Sequence, residues 1–567
     1  MTDLPASALP VRSLKWRLTL LIPIVIVLIH VGMSGWAASR HSPTADEPAY
    51  LASGISHWEY GRFDLCQVSP PLVRLVAAVP VMWAQPTLDW KHYHVVPGSR
   101  QEHSVGYDFL VANGPRSFWL FTLGRWGCLP FTVLGAWIAY QWGRELFGQW
   151  SAYFALLLWC FCPNILAHTQ LLTPDAGVTA LCLACVYTFW KWSQSQSWMI
   201  TLLAGSLLGL AVLAKTNSVA LFPAIITAIV LQAGFTPRLR TGRSVLQVCV
   251  AFAVAVYVVN LGYGFEGSFK PLGKYEFFSR SLMDDQGVNR FRGTPLAALP
   301  VPLPSAFLEG IDLQRRDFEN SQGLTKTYYR GTWYDSGWWW YYLYVVLVKV
   351  PAGTWILFLL GGWNLSFGRA PHRWDAMCYL VVPAVALFAL PCSQSGFGGS
   401  LRYVLPAIPF GFMIASAAVH TAASRCHRLV AVAALSWMIG SSLAWHPHGL
   451  AYFNEISGGA EQGHFHLLDG NVDWGQDVLY VRDWIEQHPQ ARPVSVACWG
   501  RLPLADLGIE FETPNVRPGE PIPPGWYLIS VNHLHVEFRM GRQELARFLQ
   551  LQPVGRINST MFIYHIP

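Results

Sequence analysis

The apolar positions of this chain gather into long, nearly unbroken runs, without the alternating or one-faced spacing of a soluble fold. The runs lie near 17–36, 116–138, 149–166, 172–191, 199–214, 217–234, 244–262, 338–361, 375–391, 402–421 and 427–445. A helix needs about 17–25 apolar residues to cross a bilayer, so the pattern predicts a polytopic α-helical membrane protein of about eleven transmembrane helices. Two long stretches, 37–115 and 263–336, interrupt the runs. Loops of that length usually have work of their own. Within the first, 49–60 and 71–83 have helical apolar spacing with few charges, which suits short helices in the membrane interface. Pro70-Pro71 starts the second of them.

After 446 the pattern becomes that of a soluble domain. Residues 473–488 and 542–551 read as helices, and 493–498, 526–531 and 560–565 as strands. The expected division is a membrane module over 1–445 and a small α/β domain over 446–567.

Charge adds an orientation. Arg144, Lys191, Arg238, Arg240, Arg243, Arg369, Arg373, Arg425 and Arg428 fall in alternate loops, on the side of the N-terminal Arg12, Lys15 and Arg17. By the positive-inside rule the N-terminus is cytoplasmic, and the two long loops and the C-terminal domain lie on the outer face. The first run has no convincing small-residue cleavage site before Ser42 and reads as a retained helix. With 53% hydrophobic and 13% charged residues in 567, an ordinary soluble enzyme is excluded. The net charge of +6 is explained by the inner loops. Without a basic stripe interleaved with aromatics, no nucleic-acid partner is expected. Of the cysteines, Cys160, Cys162, Cys182 and Cys185 sit inside apolar runs, as small packing residues do.

Against that background the polar residues at the outer ends of the runs carry the candidate chemistry. Asp46-Glu47 stands a few residues after the first run. Two adjacent carboxylates at the mouth of a membrane helix are either an acid/base or metal-binding pair or the N-cap of the helix that follows. Asp175 begins another run behind Thr173-Pro174, again as a cavity-facing acid or a cap. Lys215 and Arg402 break the positive-inside pattern, and Arg74 is a cation of the outer loop 37–115, one turn into its second helix. A guanidinium pairs with phosphate oxygens in a bidentate fork, and a lysine can neutralise an anionic head group. Arg74 is equally placed to snorkel at the interface. The aromatics of 327–342 suit an interface belt. His92, His94 and His103 have no spacing that closes a metal site.

Taken in order, Asp46-Glu47, Asp64…Ser69-Pro70-Pro71-Leu72…Arg74 and Thr173-Pro174-Asp175 resemble the GT-C membrane glycosyltransferases. More narrowly they are similar to bacterial relatives of dolichyl-phosphate-mannose–protein mannosyltransferase (glycosyltransferase family 39) and of lipid A aminoarabinose transferase. The segments Tyr334-Asp335-Ser336-Gly337-Trp338, Leu401-Arg402-Tyr403-Val404-Leu405-Pro406 and Leu468-Asp469-Gly470-Asn471-Val472-Asp473-Trp474-Gly475-Gln476-Asp477 extend the resemblance over nearly the whole chain. The family usually has His before the Pro-Pro pair and Lys where this chain has Arg74; here Ser69 precedes it.

The resemblance implies a GT-C-like fold and transfer of a hexosyl or pentosyl group from a polyprenyl-phosphate donor to an acceptor hydroxyl on the outer face, with inversion. The acceptor is a protein, lipid or glycan, and the location a bacterial inner membrane with a periplasmic C-terminal domain. Asp46 is the implied base, with Glu47 and Asp175 orienting acceptor, base or metal. Arg402, Arg74 and Lys215, in that order, are the cations for the leaving phosphate. Some relatives use a divalent metal ion and others do not; Glu47, Asp175 and His168 are the candidate ligands here. The residues agree in one respect: no cytoplasmic segment is large enough to hold a nucleotide sugar. A transporter or flippase, which would show repeats and midplane charges, and a membrane-anchored assembly factor are the competing readings.

Overall fold

The computed structural model describes residues 11–320, 326–367, 373–394, 399–419, 425–500, 502–535 and 543–567. Of the inner basic residues, Arg369 and the side chains of Arg12, Lys15, Arg17 and Arg373 lie outside the described residues. Each apolar run is helical, in the order α1 (Val11–Ala38), α2 (Glu47–Tyr60), α3 (Leu72–Trp83), α4 (Glu102–Asn113), α5 (Ser117–Phe147), α6 (Gln149–Phe161), α7 (Pro163–Thr169), α8 (Pro174–Ser195), α9 (Trp198–Ala214), α10 (Leu221–Ala233), α11 (Gly242–Gly262), α12 (Ser305–Asn320), α13 (Tyr341–Lys349) and α14 (Ala352–Phe367). Further helical segments follow at Val382–Ser393, Ile408–Ser416 and Arg425–Trp445.

Fewer of these helices are plain spans than the run lengths predict. By length and apolarity four described helices can cross a membrane, or six if each bent pair counts as one, against the eleven expected. Two physical causes account for much of the difference. The run near 149–166 bends by 55° between α6 and α7, and that near 338–361 turns through 110° between α13 and α14. Both breaks fall at a proline, Pro163 and Pro351, which lacks the backbone donor and pushes its predecessor out of the helical region. α5 and α8 are long enough, but Arg125 in one and Asp175 and Lys191 in the other make them more polar than a plain span. Outside the runs, α2, α3 and α4 pack together and α3 also packs on α5. α5 in turn lies against α1, α6 and α8.

A short hairpin of β1 (Thr327–Tyr329) and β2 (Thr332–Tyr334) precedes α13, and beyond 446 a four-stranded sheet has the order β3-β4-β6-β5, made of β3 (Val494–Ala497), β4 (Gly525–Ser530), β5 (Gly555–Ile557) and β6 (Met561–Ile566). β3 and β4 are parallel and the other pairs antiparallel. The helix expected from 473 begins only at Val478. Residues before it turn back to the membrane module: Ser42 N–H donates to the Gln476 carbonyl at 3.0 Å, and Ala45 N–H to that of Trp474 at 2.9 Å. The segment after α1 is therefore stitched to the C-terminal residues along a seam.

Close helix packing gives the first prediction. A Cβ at Gly361 would lie 2.0 Å from the Ile414 carbonyl oxygen, while one at Gly362 would meet nothing within 4 Å. Small residues let apposed membrane helices approach to this distance. Gly361→Ala should therefore cost about 1–3 kcal/mol, seen as a lower unfolding midpoint in detergent, and Gly362→Ala should leave the midpoint in place.

Candidate active site

The two adjacent carboxylates at the start of α2 part company. Glu47 is fully buried, and its oxygens accept from Arg125 Nη2 at 2.6 Å and Nε at 2.9 Å, from the backbone of Thr44 at 2.8 Å and Leu172 at 2.9 Å, and from Thr44 Oγ1 at 3.1 Å. The rest of the Arg125 guanidinium donates to the carbonyls of Ala38, His41 and Ser42. Glu47 is thus the anchor of the segment after α1, and its lone pairs are spent. In particular it does not stand with Asp175 and His168 as a free ligand for a metal ion.

Asp46 occupies the N-cap position of α2, yet its side chain caps no backbone N–H. It turns instead to Arg402, whose Nη1 donates to Oδ2 at 2.8 Å. The side chains are 25% and 18% exposed, so the pair is open on one side. Burial works against the Asp46 charge, but the Arg402 guanidinium outweighs it and, aided by His103 and Arg100, holds the carboxyl below its usual range. Arg402 in turn lies over the Trp474 ring, 4.0 Å from its centroid, in cation–π contact.

Asp175 lies one step deeper. Its Oδ1 accepts from Lys215 Nζ at 2.7 Å, and Lys215 also sits over the Tyr403 ring at 4.9 Å. Its Oδ2 and the buried Nδ1 of His168 have no hydrogen-bond partner among the described residues. Arg402 is within electrostatic range of both Asp46 and Asp175, and His168 of Asp175, Arg402 and Lys215. Asp46, His168, Asp175, Lys215 and Arg402 therefore surround one polar centre where α2 and α8 begin and α7 and α9 end. Thr173, at the N-cap position of α8, makes no side-chain cap bond.

Arg74 is placed elsewhere. Its Nε donates to His57 Nε2 at 2.7 Å and its Nη1 to the carbonyls of Ser69 and Pro70, which ties two of its three nitrogens to the 57–70 segment, while the buried Nη2 has no partner among the described residues. Two contributors escaped the sequence reading. Arg125 was visible as a lone charge in an apolar run, a signal of internal pairing. Trp474 belongs to a quoted motif, but its stacking on Arg402 depends on the seam between 42–45 and 474–478.

Two cavities are lined by residues that neighbour Asp46 or follow Arg402 in the chain. A cleft of 520 Å³, lined by residues such as Trp339, Leu343, Phe388, Ala407 and Ile408, is almost wholly apolar. Its wall begins just after the turn that carries Arg402. A second cavity of 320 Å³ is lined by Ala45, Pro48, Ala49, His103, Tyr107 and Leu502.

Residues 121–263 match the family model for dolichyl-phosphate-mannose-protein mannosyltransferase. The matched stretch contains Arg125, His168, Asp175 and Lys215, and supports the resemblance to GT-C membrane glycosyltransferases. Among solved structures, ArnT from Cupriavidus metallidurans bound to undecaprenyl phosphate is similar over 97% of both chains, at 12% identity and a TM-score of 0.38. The same protein in the apo state gives 13% identity and a TM-score of 0.43 over 97% of this chain and 98% of that one. The AglB oligosaccharyltransferase from Archaeoglobus fulgidus, in complex with an inhibitory peptide and a dolichol-phosphate, gives 13% and 0.45 over 76% of this chain and 56% of its own. No curated protein matches the chain.

The two carboxylates should behave oppositely on neutralisation. Glu47→Gln leaves Arg125 buried without its counter-charge, a loss of about 3–5 kcal/mol, and should abolish recovery of folded, monodisperse protein. Asp46→Asn should fold. The pH dependence follows from the depressed pKa of Asp46. The stability it contributes is present above the usual carboxylate range and is lost as pH falls through its lowered folded value. The difference in unfolding midpoint between wild type and Asp46→Asn should accordingly be level at neutral pH and vanish only in acid. In an Arg402→Gln background burial is uncompensated, so the protonation of Asp46 should move to higher pH, seen as an upward shift of the carboxylate infrared band titration.

Proposed function

We propose that the protein transfers a sugar from a polyprenyl-phosphate donor to an acceptor hydroxyl at the outer face of the membrane, with inversion at the anomeric carbon. The observation that carries this reading is the partly open Asp46–Arg402 pair, with a cavity lined by Ala45 and Pro48, the neighbours of Asp46 in the chain, and an apolar cleft whose wall includes Ala407 and Ile408 of the segment that follows Arg402. The cleft suits a polyprenyl tail, Arg402 its phosphate, and the other cavity the acceptor. The family-model match supports the reaction class.

In the proposed reaction the donor phosphate takes over the Arg402 guanidinium, which presents a bidentate fork to it. Asp46 is thereby released as a carboxylate. It enters this step ionised, having been held below its usual range by Arg402 in the resting pair, and with that partner withdrawn burial raises its affinity for the proton of the acceptor hydroxyl as that oxygen attacks the anomeric carbon. The new bond forms between acceptor oxygen and anomeric carbon; the bond from that carbon to the phosphate oxygen breaks, and its electron pair leaves with the phosphate. Arg402, with Lys215 behind it, meets the charge that develops there. Asp175 holds Lys215 in place, and Glu47, through Arg125, holds the backbone that carries Asp46. Arg74 supports the loop beside the site and does not contact the leaving group.

The test is sugar transfer in reconstituted vesicles with a panel of radiolabelled polyprenyl-phosphate sugars and candidate acceptors. Wild type should transfer label to an acceptor or to water. Asp46→Asn should be slower by about 10²–10⁴-fold, the contribution of a positioned base, with donor binding retained. Arg402→Gln should weaken donor binding as well. Folded wild-type protein that neither binds nor turns over any donor of the panel would overturn the reading.

A further inference from the structure

A second convergence of side chains lies along the seam between the membrane module and the C-terminal residues. His41 follows the end of α1, His448 lies in the turn after the helix Arg425–Trp445, and Asp477 immediately precedes the helix Val478–Gln487. One ligand atom from each comes within 4.8 Å of the others. The Nδ1 atoms of His41 and His448 stand 3.5 and 3.7 Å from Asp477 Oδ1. His41 and Asp477 are each only 3% exposed.

The accounting of donors makes this cluster unusual. His41 Nε2 faces the Pro447 carbonyl at 3.2 Å, which can only accept, so the ring proton of a neutral His41 resides on Nε2. Its Nδ1 then presents a lone pair toward Asp477 Oδ1 and toward the Gln476 carbonyl at 3.3 Å, both of them acceptors. His448 Nδ1 and Asp477 Oδ1 are buried without a hydrogen-bond partner among the described residues. Acceptor atoms thus point at one another with nothing positive between them. The separations are long for hydrogen bonds. They are close to the edge of a tetrahedron whose metal–ligand bonds are about 2.0–2.1 Å, an edge of roughly 3.4 Å.

The surroundings support the same geometry. Asp477 Oδ2 accepts from Thr560 Oγ1 at 2.6 Å, and the Pro447 carbonyl fixes the His41 tautomer. Such second partners orient metal ligands and set which ring nitrogen binds. We propose that His41, His448 and Asp477 bind a divalent transition-metal ion of the zinc class, leaving a fourth position for water. The donor set of two imidazoles and a carboxylate suits that class. The ion clamps the chain leaving α1 to the loop 474–477, at a place separate from the Asp46–Arg402 pair. The proposal stands independently of the transfer reaction.

The test uses the full-length protein in detergent, purified without a histidine tag, stripped with chelator and titrated with Co²⁺ and then Zn²⁺. Wild type should take up Co²⁺ stoichiometrically with the intense visible absorption of a tetrahedral site, lose that band to Zn²⁺, and show a Zn²⁺-dependent rise in unfolding midpoint. Asp477→Asn and His448→Ala, the latter at a partly exposed position, should lose the band and the rise. Folded wild type with neither signal would overturn the proposal in favour of a proton-sharing His–Asp cluster. A band that persists in both variants would place the ion elsewhere and overturn it equally.

Discussion

The ion pair between Glu47 and Arg125 is the contact on which the outer half of the molecule depends. Both side chains are completely buried. Taking two such charges out of water costs more than their attraction alone returns unless every remaining donor and acceptor is matched. Here they are matched: each N–H of the guanidinium that points inward finds Glu47 or a carbonyl of residues 38–42, and the carboxylate also gathers the backbone of Thr44 and Leu172. One pair therefore fixes the exit of α1, the start of α2 and the approach to α8. Asp46, one residue away, inherits its position from that network without being consumed by it.

The same arrangement explains how much the sequence made legible. Long apolar runs announced helices because the length and apolarity that define them are local properties. The bends at Pro163 and Pro351 were local too, and the prolines were there to be read, but their angles of 55° and 110° depend on what the second segment packs against. Asp46 and Glu47 are neighbours of like chemistry, and nothing in the pattern says which one is buried. That division is decided by Arg125, a helix away. Likewise Arg74 is a cation in the right loop, and only the fold reveals that His57 and two carbonyls have claimed it.

The C-terminal residues were read as a domain of their own, and their sheet is indeed built from the strands expected after 490, with the short β5 added. Its loop 469–477 is another matter. The composition there is polar with two glycines, Gly470 and Gly475, and its second half is expected to open the helix 473–488. In the folded chain it hydrogen-bonds with residues 42–45 and presents Trp474 to Arg402. A contact between the first helix exit and the C-terminal residues joins positions far apart in sequence, and no periodicity carries such information.

That loop also bears on how an ion pair can serve as a binding site. A guanidinium held only by Asp46 would follow its partner, and an arriving anion would have to compete for a moving target. Arg402 rests instead on the face of Trp474 and near the ring of Tyr403. Its planar group keeps that apolar support whichever anion it faces, because stacking and in-plane hydrogen bonding use different parts of the guanidinium. Asp46 can then exchange places with a phosphate while the cation stays where it is, and the carboxylate released is already ionised. A lysine at 402 would lack the planar face and could not divide its interactions in this way. In the proposed reaction the preference for arginine at this position is thus a consequence of the tryptophan above it.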